Sequence, residues 1–415
     1  MTLSCFALGE RMLDVDEALA ALGELVATRL PAERLPLTAA ARRVLAGECI
    51  SPIDVPQRTN AAMDGIALAW PAPASVPLVG DVLAGHRFER PLEPGEAVSI
   101  TTGAPLPVGA DTVIMHEQLE VDAPARMATI RHAQHVSRGQ NVRHAGEDVA
   151  RGSRAMPAGT RLKPQHLGLL ASLGIDSVDV VRRPRVTIFS TGDEVTLPGE
   201  VLGEAGIYDA NRYSLRGMLE ALGCEIDDLG ILADRPGAIR DALAHAATRA
   251  DMVITSGGVS SGQADWVKTA LASIGRLGFW RIAMRPGRPL AFGVLGETAV
   301  PFFGLPGNPV AVMVTFLQFV QPLLRRLQGE HAWQPTRWNA IADEAMHSRG
   351  GRVDFHRGIY HIDGAGRLHV RATGSQGSGR LSSMVAANCL IEIESARADV
   401  AAGETVLLQP FGELT

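Results

Sequence analysis

Between Val253 and Lys268 an apolar run opens into Thr255-Ser256-Gly257-Gly258-Val259-Ser260-Ser261-Gly262, followed by Gln263-Ala264-Asp265-Trp266-Val267-Lys268. Three glycines and four hydroxyls let a backbone fold tightly around an oxyanion, with exposed N–H groups and the positive end of the following helix holding phosphate. Asp265 does not suit that role alone, because a carboxylate beside a phosphate repels it unless a cation such as Mg²⁺ stands between them. The loop reads as a metal-bridged phosphate site. Taken singly it reads equally well as a strand-to-helix turn with an ordinary N-terminal acid.

The elements around it favour the first reading. From Arg185 onward the pattern alternates: a strand at 186–189, helices at 214–222 and 238–247, a strand at 252–254, a helix at 266–274, a strand at 301–303 and a helix at 309–327. That order predicts a doubly wound, three-layer α/β domain with a mostly parallel sheet, whose ligands bind outside the carboxyl ends of the strands. Three loops fall at such ends: Ser190-Thr191-Gly192-Asp193-Glu194, the 255–262 loop, and Gly304-Leu305-Pro306-Gly307-Asn308-Pro309.

Upstream, Asp14 and Glu17 form a capping box for an amphipathic helix carrying Val15, Ala18, Leu19, Leu22, Leu25 and Val26 on one face. Short apolar runs broken by proline and glycine fill 51–142 and predict an inserted β-rich domain. A further helix, 162–174, is expected to return beside the first, and short strands such as 368–370 and 389–393 predict a C-terminal β domain. The expected fold is thus α/β and β multidomain: 1–50 plus 143–182 as a helical linking unit, 51–142 inserted, 183–328 as the α/β unit, and 329–415 at the end.

Composition excludes several classes. A chain of 415 residues makes about two to four domains, and 46% hydrophobic with 20% charged residues is that of an ordinary globular protein. A net charge of −6 and only 5% aromatics disfavour nucleic-acid partners. Neither a leader-like N-terminus nor an uninterrupted apolar run of about 18 residues occurs, so no membrane partner and a cytoplasmic location are expected. Cys5, Cys49, Cys224 and Cys389 lack paired-ligand spacing and read as mostly buried thiols.

Seven ordered signatures carry a family resemblance across nearly the whole chain. They are Asn60-Ala61-Ala62-Met63-Asp64-Gly65; Thr102-Gly103-Ala104-Pro105-Leu106-Pro107 with Gly109-Ala110-Asp111; Gly146-Glu147-Asp148; Ser190 to Glu194; Thr255 to Val259 through Asp265; Arg285-Pro286-Gly287-Arg288-Pro289; and Gly304 to Pro309. Together they resemble the molybdopterin molybdenumtransferase family, MoeA, which includes the gephyrin E domain. The resemblance implies an elongated homodimer that takes adenylylated molybdopterin, molybdate and Mg²⁺, releases AMP, and leaves molybdenum on the dithiolene sulfurs. It also allows transient contact with the adenylyltransferase and with recipient molybdoenzymes.

Residue by residue, it implies catalytic or ion-site roles for Asp64, Asp148, Glu194, Asp234 and Asp265, with Asp64, Glu194 and Asp265 toward the metal. Oxyanion roles fall on Arg143, Arg281, Arg285, Arg288 and Arg357, and further substrate contacts on Thr102, Ser256, Gly257, Gly258, Ser260, Pro306, Asn308 and Ser378. Anhydride cleavage needs this coexistence of acids for a cation and cations for oxyanions. The family carries lysine where this chain has Arg281, Arg285 and Arg288; arginine keeps the charge and adds a planar fork but cannot titrate. Ile66 replaces a tyrosine and Ala61 a serine. The Gly/Ser-rich segment 373–379 resembles a loop that approaches the ligand. His116, His144 and His356 receive no role. Two other readings stand beside this one: an adenylyltransferase of the type resembled by 185–327 alone, and a scaffold that retains the fold without the chemistry.

Overall fold

The computed structural model describes residues 6, 12–26, 29–233, 235–257 and 273–412. Its central sheet has seven strands in the order Met12–Leu13, Gly275–Ile282, Pro289–Leu295, Val300–Leu305, Met252–Ser256, Arg185–Thr191, Glu225–Leu232. The last four run parallel, whereas Pro289–Leu295 is antiparallel to both neighbours. Six of the seven strands thus share one direction, so the sheet is mostly parallel as expected, with Pro289–Leu295 the exception. The cause is connection length: residues 283–288 and 296–299 are too few to form a crossover, so the strands they join must turn back.

Period-two alternation along these strands sorts side chains into two cores. Val186, Ile188, Met252, Ile254, Phe303 and Leu305 face one, while Phe189, Val253 and Phe302 face the other. Ile239 and Leu243 of the helix Pro236–Ala247 cover the second face. The first takes the helix Ala210–Ala221 and the long helix over Pro309–Leu327, which contains a π-helical turn at Phe316–Val320. Pro309–Leu327 is apolar enough by length and composition to cross a membrane, with mean hydropathy 1.3, but 78% of that window is buried inside the protein. This is the expected three-layer α/β architecture.

The N-terminal segment differs from expectation. Asp14 does cap the helix Val15–Leu22, accepting from the Glu17 N–H at 2.6 Å. Yet Met12–Leu13 pairs with Arg281–Ile282, and Leu13, Leu19 and Leu22 bury in the α/β core. The helix Pro164–Ser172 packs elsewhere, with Ala40, Leu45 and Val180. An apolar stripe shows that a helix buries one face; it does not name the core that receives it.

Chain passes 32–50 and 154–181 pair with one another, Ala32–Pro36 with Ser177–Val181 and Cys49–Ile50 with Arg154–Met156, and so bracket the inserted unit. That unit holds a six-stranded sheet, Thr112–Met115, Gly65–Leu68, Ala97–Ile100, Ser75–Val82, Met127–Ile130 and Leu119–Asp122. In the C-terminal unit Val353–Ile362, Leu368–Ala372, Trp338–Ala342, Thr405–Pro410 and Cys389–Ile393 close on themselves as a five-stranded barrel. A short strand of the α/β unit, Met284–Arg285, joins this barrel parallel to Val353–Asp354. That seam positions the site.

Candidate active site

Where the strands Arg185–Thr191, Met252–Ser256 and Val300–Leu305 end, a cavity of about 810 Å³ opens between the α/β unit and the barrel. Thr191, Gly192 and Glu194 line it from the first loop, Gly257 from the second, and Pro306, Gly307 and Asn308 from the third. The three loops expected on one rim are together there. Two glycines let them crowd. At φ 85° Gly257 tucks against Thr191, whose carbonyl oxygen would lie 3.0 Å from an added Cβ. Gly192, at φ 135°, leaves room for the Glu194 carboxylate, which an added Cβ would meet at 2.7 Å. Glu194 is exposed, and no salt bridge to it forms among the described residues. Ser256 is buried just behind, lining an adjoining pocket of about 250 Å³ with Asp209 and Asn211.

The barrel and the seam strand each supply a cation. Arg357, 1% exposed, directs Nε at Ser383 Oγ (3.0 Å) and Nη2 at the Gly377 carbonyl (3.3 Å), with no carboxylate partner among the described residues. Burial pushes its guanidinium down to about 10. Buried charges are normally paired, so an uncompensated arginine at a cavity wall marks an anion site. Arg285 also lines the cavity, and its Nη1 donates to Asp354 Oδ2 at 3.1 Å. Burial would raise the Asp354 carboxyl, but His356, Ser348 and Arg285 together hold it below the usual carboxylate range. Arg281 and Arg288 are exposed and do not line the cavity.

The 373–379 segment closes one wall. Arg357 N–H donates to Gln376 Oε1 (2.8 Å), Asn308 Nδ2 to Ser378 Oγ (3.1 Å), and Val310 N–H to the Ser378 carbonyl (3.2 Å), tying barrel to α/β rim.

A second group of sequence-selected residues lies apart, in and beside the inserted unit. Thr102 donates both N–H (2.6 Å) and hydroxyl (2.7 Å) to Asp64 Oδ1. The backbone bond first, then the hydroxyl, with His116 adding attraction, holds this exposed carboxyl below its usual range. Arg143 pairs with Asn60 across a short antiparallel ladder, and the Asp148 N–H donates to the Val55 carbonyl. None of Asp64, Thr102, Arg143 and Asp148 lines the cavity. Asp234, Gly258, Ser260 and Asp265 lie outside the described residues. No three His, Cys, Asp or Glu side chains form a metal-holding group among the described residues. Glu194 and Asp64 therefore stand in separate groups within one chain.

Sequence reasoning passed over Asp354 and Arg349 and gave His356 no role, yet all three are on the cavity wall. A signal was present, since Asp354, His356 and Arg357 put three ionisable residues into four positions at the start of the strand Val353–Ile362, most of them buried. It also passed over Asn211, whose Nδ2 donates to the Gly307 carbonyl at 2.7 Å and braces the third loop.

Comparison with known proteins agrees with this layout. Residues 13–174 match the family described as MoeA N-terminal region (domain I and II), 187–326 the probable molybdopterin binding domain, and 339–411 the MoeA C-terminal region (domain IV). A molybdopterin molybdenumtransferase of Haemophilus influenzae is 42% identical over 407 residues, covering 97% of this chain and 100% of the relative. One from Nostoc sp. is 36% identical over 91% of this chain and 88% of its own length. A crystal structure of the molybdopterin biosynthesis moeA protein from Pyrococcus horikoshii superposes with TM-score 0.82 at 29% identity, covering 97% of this chain and 100% of that one.

Proposed function

This chain belongs to the molybdopterin molybdenumtransferase (MoeA) family, and from that premise we propose that its cavity binds adenylylated molybdopterin and molybdate, cleaves the adenylate anhydride and releases AMP. The coarse activity, transfer of molybdenum to molybdopterin in cofactor biosynthesis, is the one its relatives are named for. The finer steps rest chiefly on Arg357, a buried guanidinium at the cavity wall with no carboxylate partner among the described residues.

Arg357 and Arg285 hold the oxyanions, molybdate and the phosphates, through charge-assisted N–H donors. Asn308, Ser378 and the Pro306–Gly307 turn shape the wall around them. The P–O bond to the leaving AMP breaks as an oxygen nucleophile bonds to phosphorus, and fixed cations offset the charge that develops. Mg²⁺, when bound, neutralises the anhydride. Glu194 fits the metal's side of the site as a carboxylate at the cavity with no cation paired to it among the described residues, and Asp265 is given the same role from its loop sequence alone. Asp64, held ionised by Thr102 in the inserted unit, completes the set from the partner subunit of a homodimer, so the cleft is shared between two chains.

The test is AMP release from adenylylated molybdopterin on addition of molybdate and Mg²⁺. Release dependent on both supports the proposal. Formation of adenylylated molybdopterin from ATP instead would assign the adenylyltransferase reading, and inertness in both assays the scaffold.

A further inference from the structure

We infer that Asp354 is a positioning residue for Arg285, and that with Ser348 it forms a clasp across the seam between the α/β unit and the barrel that aims the Arg285 guanidinium into the cavity. The inference rests on the reading of this cavity as the oxyanion site.

Three observations carry it. Asp354 is a buried acid, 2% exposed, in a place where neither catalysis nor solvation accounts for it. Its Oδ2 accepts from Ser348 Oγ at 2.8 Å and from Arg285 Nη1 at 3.1 Å, so a barrel hydroxyl and an α/β-unit guanidinium share one oxygen. The two strands pair in register, Met284 with Val353 and Arg285 with Asp354, which places the carboxylate beside the arginine by backbone geometry.

One Arg285 N–H is used in this bond, and a guanidinium has five, so among the described residues the remaining fork is left for a ligand. A long side chain that is 38% exposed would otherwise sample many rotamers, and fixing it before the substrate arrives removes that ordering cost. His356 completes the surroundings, with Nε2 at 3.8 Å from Asp354 Oδ2. Because Arg285 and Asp354 belong to different units, the arginine is aimed only when the barrel is seated. The clasp therefore makes oxyanion capture depend on the closed seam.

The experiment compares the full-length wild type with Asp354→Asn, Ser348→Ala and Arg285→Ala. Molybdate alone is titrated calorimetrically, and AMP release is measured at saturating adenylylated molybdopterin. Asp354→Asn keeps the shape and an acceptor for Ser348 but loses the charge that holds the guanidinium. It should raise the molybdate Kd about tenfold, and adding it to Arg285→Ala should weaken molybdate no further, because it acts through that guanidinium. Ser348→Ala leaves the carboxylate in place but frees its second tether, and should raise the molybdate Kd by less. A wild-type molybdate Kd in both folded variants, or a further loss when Asp354→Asn is added to Arg285→Ala, would overturn the positioning role. Arg285→Ala separates the two readings: if it leaves molybdate affinity unchanged, the cavity reading itself fails, whatever Asp354 does.

Discussion

Replacing Arg357 by methionine should weaken oxyanion binding without unfolding the protein. The charged guanidinium, buried without a carboxylate partner among the described residues and pushed down to about 10, lies more than two decades below its ordinary range, a penalty of roughly 3 kcal/mol for folding it charged. The folded state holds this proton less tightly than the unfolded chain, so the penalty is present in full below about pH 10, including at neutrality, and is relieved only above it. Against it stand three hydrogen bonds to neutral acceptors, at Ser383, Gly377 and Phe355, worth roughly 0.5–1.5 kcal/mol each. Their loss strands no partner at the first two, since Ser383 Oγ also donates to the Arg380 carbonyl and the Gly377 carbonyl also accepts from Arg380 N–H. The opposing amounts nearly cancel, and methionine fills much of the volume. Unfolding free energy in urea should change by less than about 1.5 kcal/mol, whereas loss of one charge-assisted contact, roughly 1.5–3 kcal/mol, should weaken molybdate binding about 10- to 150-fold. A variant destabilised by more than about 3 kcal/mol that still binds molybdate like the parent would refute the reasoning and make Arg357 a structural residue.

Other outcomes follow from the same geometry. Thr102→Val removes one of the two Asp64 donors, so the carboxyl should titrate upward toward its ordinary range by carbon-13 NMR. Lowered in the folded state, Asp64 contributes stability above its ordinary pKa that is lost as pH falls through the lowered one, so the stability gap between variant and parent should close in acid. An unchanged Asp64 titration would remove the hydroxyl from the account. Arg337 bonds the buried Glu392 at 2.8 Å and the exposed Asp16 at 2.9 Å. Arg337→Ala should therefore cost about 3–5 kcal/mol by denaturant unfolding and Asp16→Ala less than about 1 kcal/mol, with equal costs contradicting the burial argument. Asp64→Asn and Asp265→Asn, each inactive alone, should complement when mixed in equal amounts. Half the dimers are then mixed with one intact cleft each, restoring about a quarter of wild-type sites; silence despite mixed dimers in native mass spectrometry would put both acids in one chain's cleft.

Much of the α/β unit was legible because its signals are local. Apolar runs at 186–189, 252–254 and 301–303 ended in Gly- and Pro-marked loops, and the carboxyl-end rule predicts that Glu194, Gly257 and Asn308 meet, as they do. The strands Glu225–Leu232, Gly275–Ile282 and Pro289–Leu295 were not singled out. Charged and glycine-interrupted faces break the apolar pattern in the first two, as Asp227, Arg276, Gly278 and Arg281 show, whereas the apolar Pro289–Leu295 lay next to a Pro- and Gly-rich turn and was not separated from it. Partnership between distant segments was the harder part. Nothing in Met12–Leu13 names Arg281–Ile282 as its neighbour, and nothing near Arg285 announces Asp354, because that pairing is made by tertiary register between two units. Arg281 and Arg288 carry the same charge signal as Arg285, yet only Arg285 is drawn to the cavity, by the seam.

The central claim, that the cavity under Arg357 is where molybdate is captured, is tested most directly by anomalous diffraction at the molybdenum edge from crystals soaked in molybdate. The account predicts one strong peak inside the cavity, within hydrogen-bonding reach of the Arg285 or Arg357 guanidinium and lost in Arg357→Met crystals. A peak confined to the surface or to the inserted unit, with the cavity empty at saturating molybdate, would contradict it.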